Sequence, residues 1–292
     1  MDYRALVMGL AFALMWSSAF ATARVIVADA APLHALALRF LISGLLALGL
    51  ARLLGASLVL ERSRWRTVAV FGLLQNAAYL GLNFVAMQWI EASLAVIIAA
   101  SMPLMVAALS WAFLGERLPP LGLGGLVAGF AGVALIMGTR LTGGADPLGT
   151  ALCLIGALAL SVATLTLRRA SGAQTGAGGL LAVVGWQMLA GAAALGVIAV
   201  LAEPFFLTMT PELVAAFAYQ ILIPGLAATL IWFALVRRIG ATRAATYHFL
   251  NPFFGTAIAA ALLGERLGLL DVIGAAVVAG GIWAVQTSRR PA

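Results

Sequence analysis

Lysine is absent from this chain: all 17 basic residues are arginine. No lysine nucleophile or Schiff base can therefore form. A single cysteine, Cys153, sits in an apolar run and excludes an intramolecular disulfide or a multi-cysteine metal site. Histidine occurs only at His34 and His248, and no Asn-x-Ser/Thr glycan acceptor is present. Charge of either sign is scarce, at 9% of 292 residues, against roughly 25% in an ordinary soluble domain. A water-soluble fold of this length needs far more polar surface, so that class is excluded. An extended nucleic-acid surface is excluded too, despite a net charge of +7.

What is abundant is apolar. Hydrophobic residues make up 64% of the chain and mean hydropathy is +1.10. At roughly 20 apolar residues per membrane-crossing helix, the chain has material for about nine or ten spans and for no soluble domain. Apolar runs bounded by charge, Gly or Pro place ten spans at 5–27, 32–53, 66–88, 92–113, 120–138, 148–168, 178–201, 213–236, 242–263 and 268–287. The expected fold is an all-α polytopic membrane protein with short connections, so that neighbouring helices pack antiparallel.

Arginine placement tests this division. With the N-terminal side taken as cytoplasmic, Arg4, Arg52, Arg62, Arg64, Arg66, Arg117, Arg168, Arg169, Arg237, Arg238, Arg243, Arg289 and Arg290 fall inside. Only Arg24, Arg140 and Arg266 fall outside, and Arg39 lies within a span. This is the positive-inside pattern, and it predicts both termini in the cytoplasm. Arg4, the apolar stretch and Ala19, Ala21 and Ala23 imitate a signal peptide. The run continues through Val25, Ile26 and Val27, however, and losing it would leave nine spans with an unpaired half.

The chain repeats itself. Leu114-Gly115-Glu116-Arg117-Leu118 returns as Leu263-Gly264-Glu265-Arg266-Leu267, and the same offset of 149 pairs Pro103 with Pro252, Gly125 with Gly274 and Gly132 with Gly281. Two five-helix units are expected, at 1–140 and 146–290. Five is odd, so the second must cross the membrane in the opposite sense. Inverted repeats of this kind recur in secondary transporters, with ligand sites near the midplane where helices are broken by Pro or Gly. Pro103 and Pro252 fit that description, each depriving the carbonyl four residues earlier of its donor. Pro224, beside Gly225, is a third candidate hinge.

Several polar residues fall within the spans. Gln75, Asn76, Tyr79 and Asn83 sit at helical spacing on the third, and Tyr247, His248 and Asn251 precede Pro252 on the ninth; the fourth offers Ser101. Burying unpaired amides in lipid is costly, so these residues are expected to line a wet cavity, although interhelical hydrogen bonding explains any one of them equally well. Trp16 and Ser17 lie midway along the first span and Trp186 in the seventh, whereas Trp65, Trp89 and Trp111 near span ends fit an interfacial belt. Arg39 is either a binder of substrate charge or a structural staple for freed carbonyls. No acid lies deep in any span, which favours facilitated movement over proton coupling through His248. An intramembrane enzyme is disfavoured, since no nucleophile–base pair or metal cluster assembles. A channel would call for a filter or charged rings, and neither is present.

Taken in order, these motifs resemble the EamA-type members of the drug/metabolite transporter superfamily. The resemblance rests on Trp16-Ser17-Ser18 followed by Phe20 and Arg24, on Pro32 and Arg39, on the Pro-then-Gly-Glu-Arg-Leu of spans four and nine, and on Gln187. It implies ten helices around a central cavity, no cofactor or metal, and export of amino acids, other metabolites or drugs from a bacterial inner membrane. YddG-like amino-acid exporters are the subgroup that the aromatic and amide lining suits. The expected partners are the small-molecule substrate and the lipid bilayer, with a monomer expected and a dimer as the alternative. Gln75 standing opposite Pro224 across the repeat departs from a symmetric pattern.

Overall fold

The computed structural model describes residues 2–115, 119–142, 144–169, 176–239 and 246–288. The first copy of the repeated motif (Glu116, Arg117, Leu118) and the first residues expected for the ninth span, 242–245, lie outside them. The described residues form helices joined by short connections, with one isolated bridge between Ala30 and Leu207. Seven helices are long and apolar enough to cross a membrane, and three shorter apolar ones bring the number to the ten expected.

We label the spans α1 (Tyr3–Asp29), α2 (Pro32–Leu53), α3 (Arg64–Ala86), α4 (Ala92–Phe113) and α5 (Pro120–Thr142). The second half holds α6 (Pro147–Arg169), α7 (Gly176–Ala202), α8 (Pro211–Trp232), α9 (Asn251–Leu263) and α10 (Leu269–Ser288). Span α9 alone, at about 1.5 Å per residue, reaches only about 20 Å. The 3-10 turn Thr246–Leu250 that precedes it adds about 10 Å, enough for a bilayer core of about 30 Å. The helices start where the local chemistry predicts. Asp2 caps α1 by accepting from the Ala5 amide at 3.2 Å, and Pro32, Pro120, Pro147 and Pro211 each open a helix, where a missing N–H costs nothing.

The two halves match in register down to their irregularities. A π-helical stretch begins at Gly72 in α3 and another at Ile221 in α8, 149 residues apart. Span α4 breaks at Ser101 and resumes at Met102 for 13 residues; α9 starts at Asn251, also for 13. Each of these helices ends on a left-handed glycine, Gly115 and Gly264, both with φ of 66°.

The most extensive helix contacts join repeat partners, α2 with α7 and α5 with α10. Gly125 meets Gly281, while Gly132 meets Gly274. Since Gly125 is the repeat partner of Gly274 and Gly132 of Gly281, the contact is reciprocal, as a twofold axis between the halves demands. One number rises as the other falls, so the partners run antiparallel. That is direct evidence for inverted topology.

One end of the bundle, around Ala30, is tightly knit. Glu203, at the end of α7, accepts from the amides of Leu33 and His34 at the start of α2 and lies 2.9 Å from the His34 ring. Glu265 accepts from the amides of Ala92 at 2.8 Å and Ser93 at 3.0 Å, at the start of α4. Each carboxylate meets the positive end of a helix dipole, and each ties the second half to the first. Arg24 donates to the Met87 carbonyl, and Ala31 to that of Phe206. At the opposite end Asp2 and Arg238 pair at 2.6 Å; this contact holds the Asp2 carboxyl below its ordinary value.

The α5–α10 contact leaves no room for a side chain. A Cβ at Gly281 would stand 2.5 Å from the Gly125 carbonyl oxygen and 2.7 Å from the Gly129 backbone, whereas one at Gly280 would meet nothing. Gly281→Ala is expected to cost about 1–3 kcal/mol and to lower the thermal unfolding midpoint in detergent. Gly280→Ala should leave the midpoint unchanged or slightly raised. Equal midpoints for the two variants would contradict the packing described.

Candidate functional site

Aromatic and polar side chains converge at the middle of the bundle around two small voids. The first, about 30 Å³, is walled by Trp16 and Phe20 of α1, Tyr79 of α3, the broken region of α4 around Met102 and Pro103, and His248 and Asn251. The second, about 40 Å³, shares Trp16, Phe20 and Tyr79 and adds Arg39, Asn83, Gln220 and Pro224. Each has room for a water or two, well short of the ~300 Å³ at which small-molecule sites begin. The shared aromatic trio fills the space between them, so a solute passes only if these helices separate.

The first void is polar on its α9 side. Asn251 Nδ2 donates to His248 Nδ1 at 3.0 Å. In that orientation the ring nitrogen accepts, so the imidazole is neutral with its proton on Nε2. Phe12, Trp16 and Trp232 surround the ring edge-on or tilted, at centroid distances of 5.1, 6.3 and 5.0 Å. Ser17 Oγ reaches the Asn251 carbonyl at 3.4 Å. Asn251 Oδ1 is buried without a partner.

Arg39 dominates the second void. It is 5% exposed, its Nε is buried and unbonded, and no hydrogen bond or ion pair reaches it among the described residues. Its guanidinium carbon lies 5.1 Å from the Phe40 ring centroid. A cation–π contact of that kind contributes about 0.5–2 kcal/mol, less than the several kcal/mol of burying an ion. The charge is under-compensated. Ser43, one turn further along α2, and Gln220 Oε1 are buried and unpaired as well, while Gln220 Nε2 donates to the Ala19 carbonyl at 2.6 Å and to Thr22 Oγ1 at 2.8 Å. Pro224 removes the amide that an α-helix would offer the Gln220 carbonyl, and the backbone winds there as a π-helix, a form frequent at functional sites. No carboxylate lines either void, and no cluster able to hold a metal occurs among the described residues.

The site expected from the sequence is only partly gathered here. Trp16, Tyr79, Asn83, His248, Asn251, Arg39, Pro103 and Pro224 line a void, and Ser17 adjoins one. Others are directed elsewhere. Asn76 donates to the Gln187 carbonyl at 2.9 Å and ties α3 to α7. Trp186 donates to the Leu58 carbonyl at 2.9 Å and packs its ring on Trp65. Ser101 bonds the Ile98 carbonyl at 2.6 Å within the α4 break, and Tyr247 packs against Ala5 and Leu235. Gln75 is half-buried and Pro252 buried, and neither touches a void. The single polar face expected on α3 fails because the π-helix puts more residues in each turn, so side chains four apart do not superpose. Asn83, beyond that stretch, folds back to the Tyr79 carbonyl at 2.8 Å and accepts from Cys153 at 3.3 Å.

Two void-lining residues, Phe20 and Gln220, lie outside the set expected from the sequence. Gln220 carried a usable signal, an amide in the middle of an apolar run just before Pro224. Phe20 follows the Trp-Ser-Ser motif of the first span, but nothing in its residue type, one phenylalanine among 14, marks it as lining.

Comparison with known proteins agrees with this architecture. YvbV of Bacillus subtilis, described as an uncharacterized transporter, is 26% identical over 95% of this chain and 90% of its own length. YedA of Escherichia coli K12, an uncharacterized inner membrane transporter, is 28% identical over 92% of the chain and 87% of its own. A chloroplastic WAT1-related protein of Arabidopsis thaliana is 25% identical over 93% of the chain and 66% of that longer protein. A solved structure at 24% identity superposes with a TM-score of 0.68, covering 97% of this chain and 96% of that one; it speaks for the fold alone. The EamA-like transporter family matches residues 3–138 and again 147–287. Matched once in each half and built as a bundle of ten apolar helices among its described residues, the chain belongs to the EamA-like transporter family and is a membrane transporter.

Proposed function

We propose that this transporter exports amino acids and related amphiphilic metabolites from a bacterial cell, by facilitated alternating access through the seam between its halves. The observation that carries this reading is the void pair divided by Trp16, Phe20 and Tyr79. It offers aromatic faces for an apolar side chain, with unpaired polar groups at either margin. A YddG-like preference for aromatic amino acids suits that wall. The halves 1–140 and 146–290 act as the moving units in the inner membrane, with both termini cytoplasmic. Coupling to protons is not favoured, since His248 is held by Asn251 as a neutral acceptor and no acid stands beside it.

In this topology the Ala30 end faces outward. Glu203 and Glu265 then form the outer closure, because each spans the two halves and must release its helix terminus when that side opens. Hydrogen bonds to a charged acceptor contribute about 1.5–3 kcal/mol each. Neutralising both, as Glu203→Gln with Glu265→Gln, is expected to raise the outward-open population by about tenfold or more. Cys153 is buried, so an Ala99→Cys probe in the first void's wall supplies the accessible thiol. Its labelling by a membrane-impermeant maleimide applied from outside should accelerate in the double variant. An unchanged rate would remove the two carboxylates from the gate.

Flux is the test of the path itself. Purified protein in liposomes should move radiolabelled L-phenylalanine down its gradient without an imposed pH difference. Tyr79→Ala and Asn251→Ala should each reduce that flux about tenfold or more while the protein remains folded and monodisperse. Undiminished flux in both variants would remove the central voids from the path.

A further inference from the structure

An arginine buried in an apolar bundle normally finds a carboxylate or a set of carbonyls. Arg39 has neither among the described residues, although it is 5% exposed and lines the second void. The staple alternative requires bonds from Arg39 to freed helix carbonyls, and no such bond is present. Around it lie two more unsatisfied atoms, Ser43 Oγ and Gln220 Oε1. Ser43 shares the Arg39 face of α2 and lies beside α8, where a Cβ on Gly225 would stand 3.3 Å from its hydroxyl and 2.9 Å from the Gln220 carbonyl. The glycine keeps that approach open.

The donors and acceptors are unequally shared between the voids. Arg39 brings a cationic donor to the second, beside the unpaired acceptor Gln220 Oε1, whereas the first offers the unpaired acceptor Asn251 Oδ1 and no charge. Trp16, Phe20 and Tyr79 stand between the two. We infer that the void beside Arg39 is a carboxylate subsite, so that the transported solutes are those carrying a carboxylate, while amines and cationic drugs lacking one are rejected. This rests on the transport reading above and adds to it the charge class of the substrate.

The guanidinium gives two parallel N–H donors that match a carboxylate's two oxygens. An ammonium group meets only neutral acceptors, Asn251 Oδ1 at the far margin and Gln220 Oε1 beside the guanidinium. With no acid in either wall, a solute bearing only a positive charge would enter beside an uncompensated cation. The zwitterion and the simple carboxylate are accepted; the amine is excluded.

Three compounds on one skeleton test this: L-phenylalanine, 3-phenylpropionate, which lacks the amine, and phenethylamine, which lacks the carboxylate. The intact protein is assayed for thermal stabilisation by each in detergent and for counterflow of each in liposomes. L-Phenylalanine and 3-phenylpropionate should stabilise the wild type at concentrations about tenfold or more below any effect of phenethylamine. Sodium chloride at matched ionic strength should not reproduce the effect. In Arg39→Met the preference should disappear while the unliganded unfolding temperature rises, because a lone buried charge has been removed. Arg39→Lys should retain part of the preference.

Equal handling of all three compounds by the wild type would overturn the subsite and leave the transport reading intact. So would stabilisation by chloride alone, or an Arg39→Met protein that unfolds earlier than the wild type or fails to fold. Stabilisation by the carboxylates without flux of any amino acid would instead count against the transport reading while upholding the subsite.

Discussion

Two helix backbones approach to van der Waals contact only where neither carries a side chain at the crossing, and this architecture depends on that condition at the α5–α10 interface. Gly125 against Gly281 and Gly132 against Gly274 are one contact written twice by the inverted repeat. With no hydrophobic force to drive helices together in lipid, close packing of small residues supplies the attraction. The α2–α7 pair is built in a similar way, with Gly44 and Gly185 set against each other. These two repeat-partner interfaces hold the frame. Between them α1, α3, α4, α6, α8 and α9 enclose the central voids, and four of those six carry a break, a π stretch or a preceding 3-10 turn.

Much of this frame was legible in the sequence because it depends on composition and on an offset, both of which survive without coordinates. Hydropathy gave nine of the spans to within a few residues and the ninth with its start nine residues early, because a 3-10 turn precedes Asn251; the repeated Gly-Glu-Arg-Leu gave the register at which π stretches, breaks and left-handed glycines coincide. The role of Glu265 was not legible. As part of a repeated motif it read as a marker, and only the fold carries it to the start of α4. The site was less legible still, since the regular helical periodicity used to group Gln75, Tyr79 and Asn83 does not hold through a π-helix. Asn76 and Trp186 carry polar atoms that the sequence alone cannot distinguish from cavity lining; each bonds a single carbonyl on a neighbouring segment.

Charge is used sparingly and at specific places. The carboxylates Glu203 and Glu265 lie at helix starts, where orphan amides and the dipole compensate them. Arg24 finds a carbonyl. Arg39 alone is carried into the centre without compensation among the described residues. A soluble protein could hydrate such a group; a bilayer cannot. The cost of holding it there is borne by the unliganded protein, and it falls when an anion arrives. On the carboxylate-subsite proposal, that asymmetry ties occupancy of the seam to the stability of the closed bundle.

The inverted frame is symmetric, but its chemistry is not. At the start of the two π stretches the backbone repeats with an offset of 149, yet Gln75 occupies the place that Pro224 takes in α8. Pro224 touches the void and Gln75 does not. Likewise the α9 break presents His248 and Asn251 where α4 offers the self-satisfied Ser101. On the alternating-access reading proposed above, backbone symmetry lets the inward- and outward-facing states be built from equivalent hinges, since the π stretches, the breaks and the left-handed glycines each have a counterpart in the other half. On the carboxylate-subsite proposal, side-chain asymmetry then gives the path a direction-independent polarity: a cationic margin at Arg39 and a neutral, acceptor-bearing margin at Asn251. On that proposal a solute oriented by those margins would present the same end to Arg39 whichever face is open, which is what a single site serving two alternating openings requires.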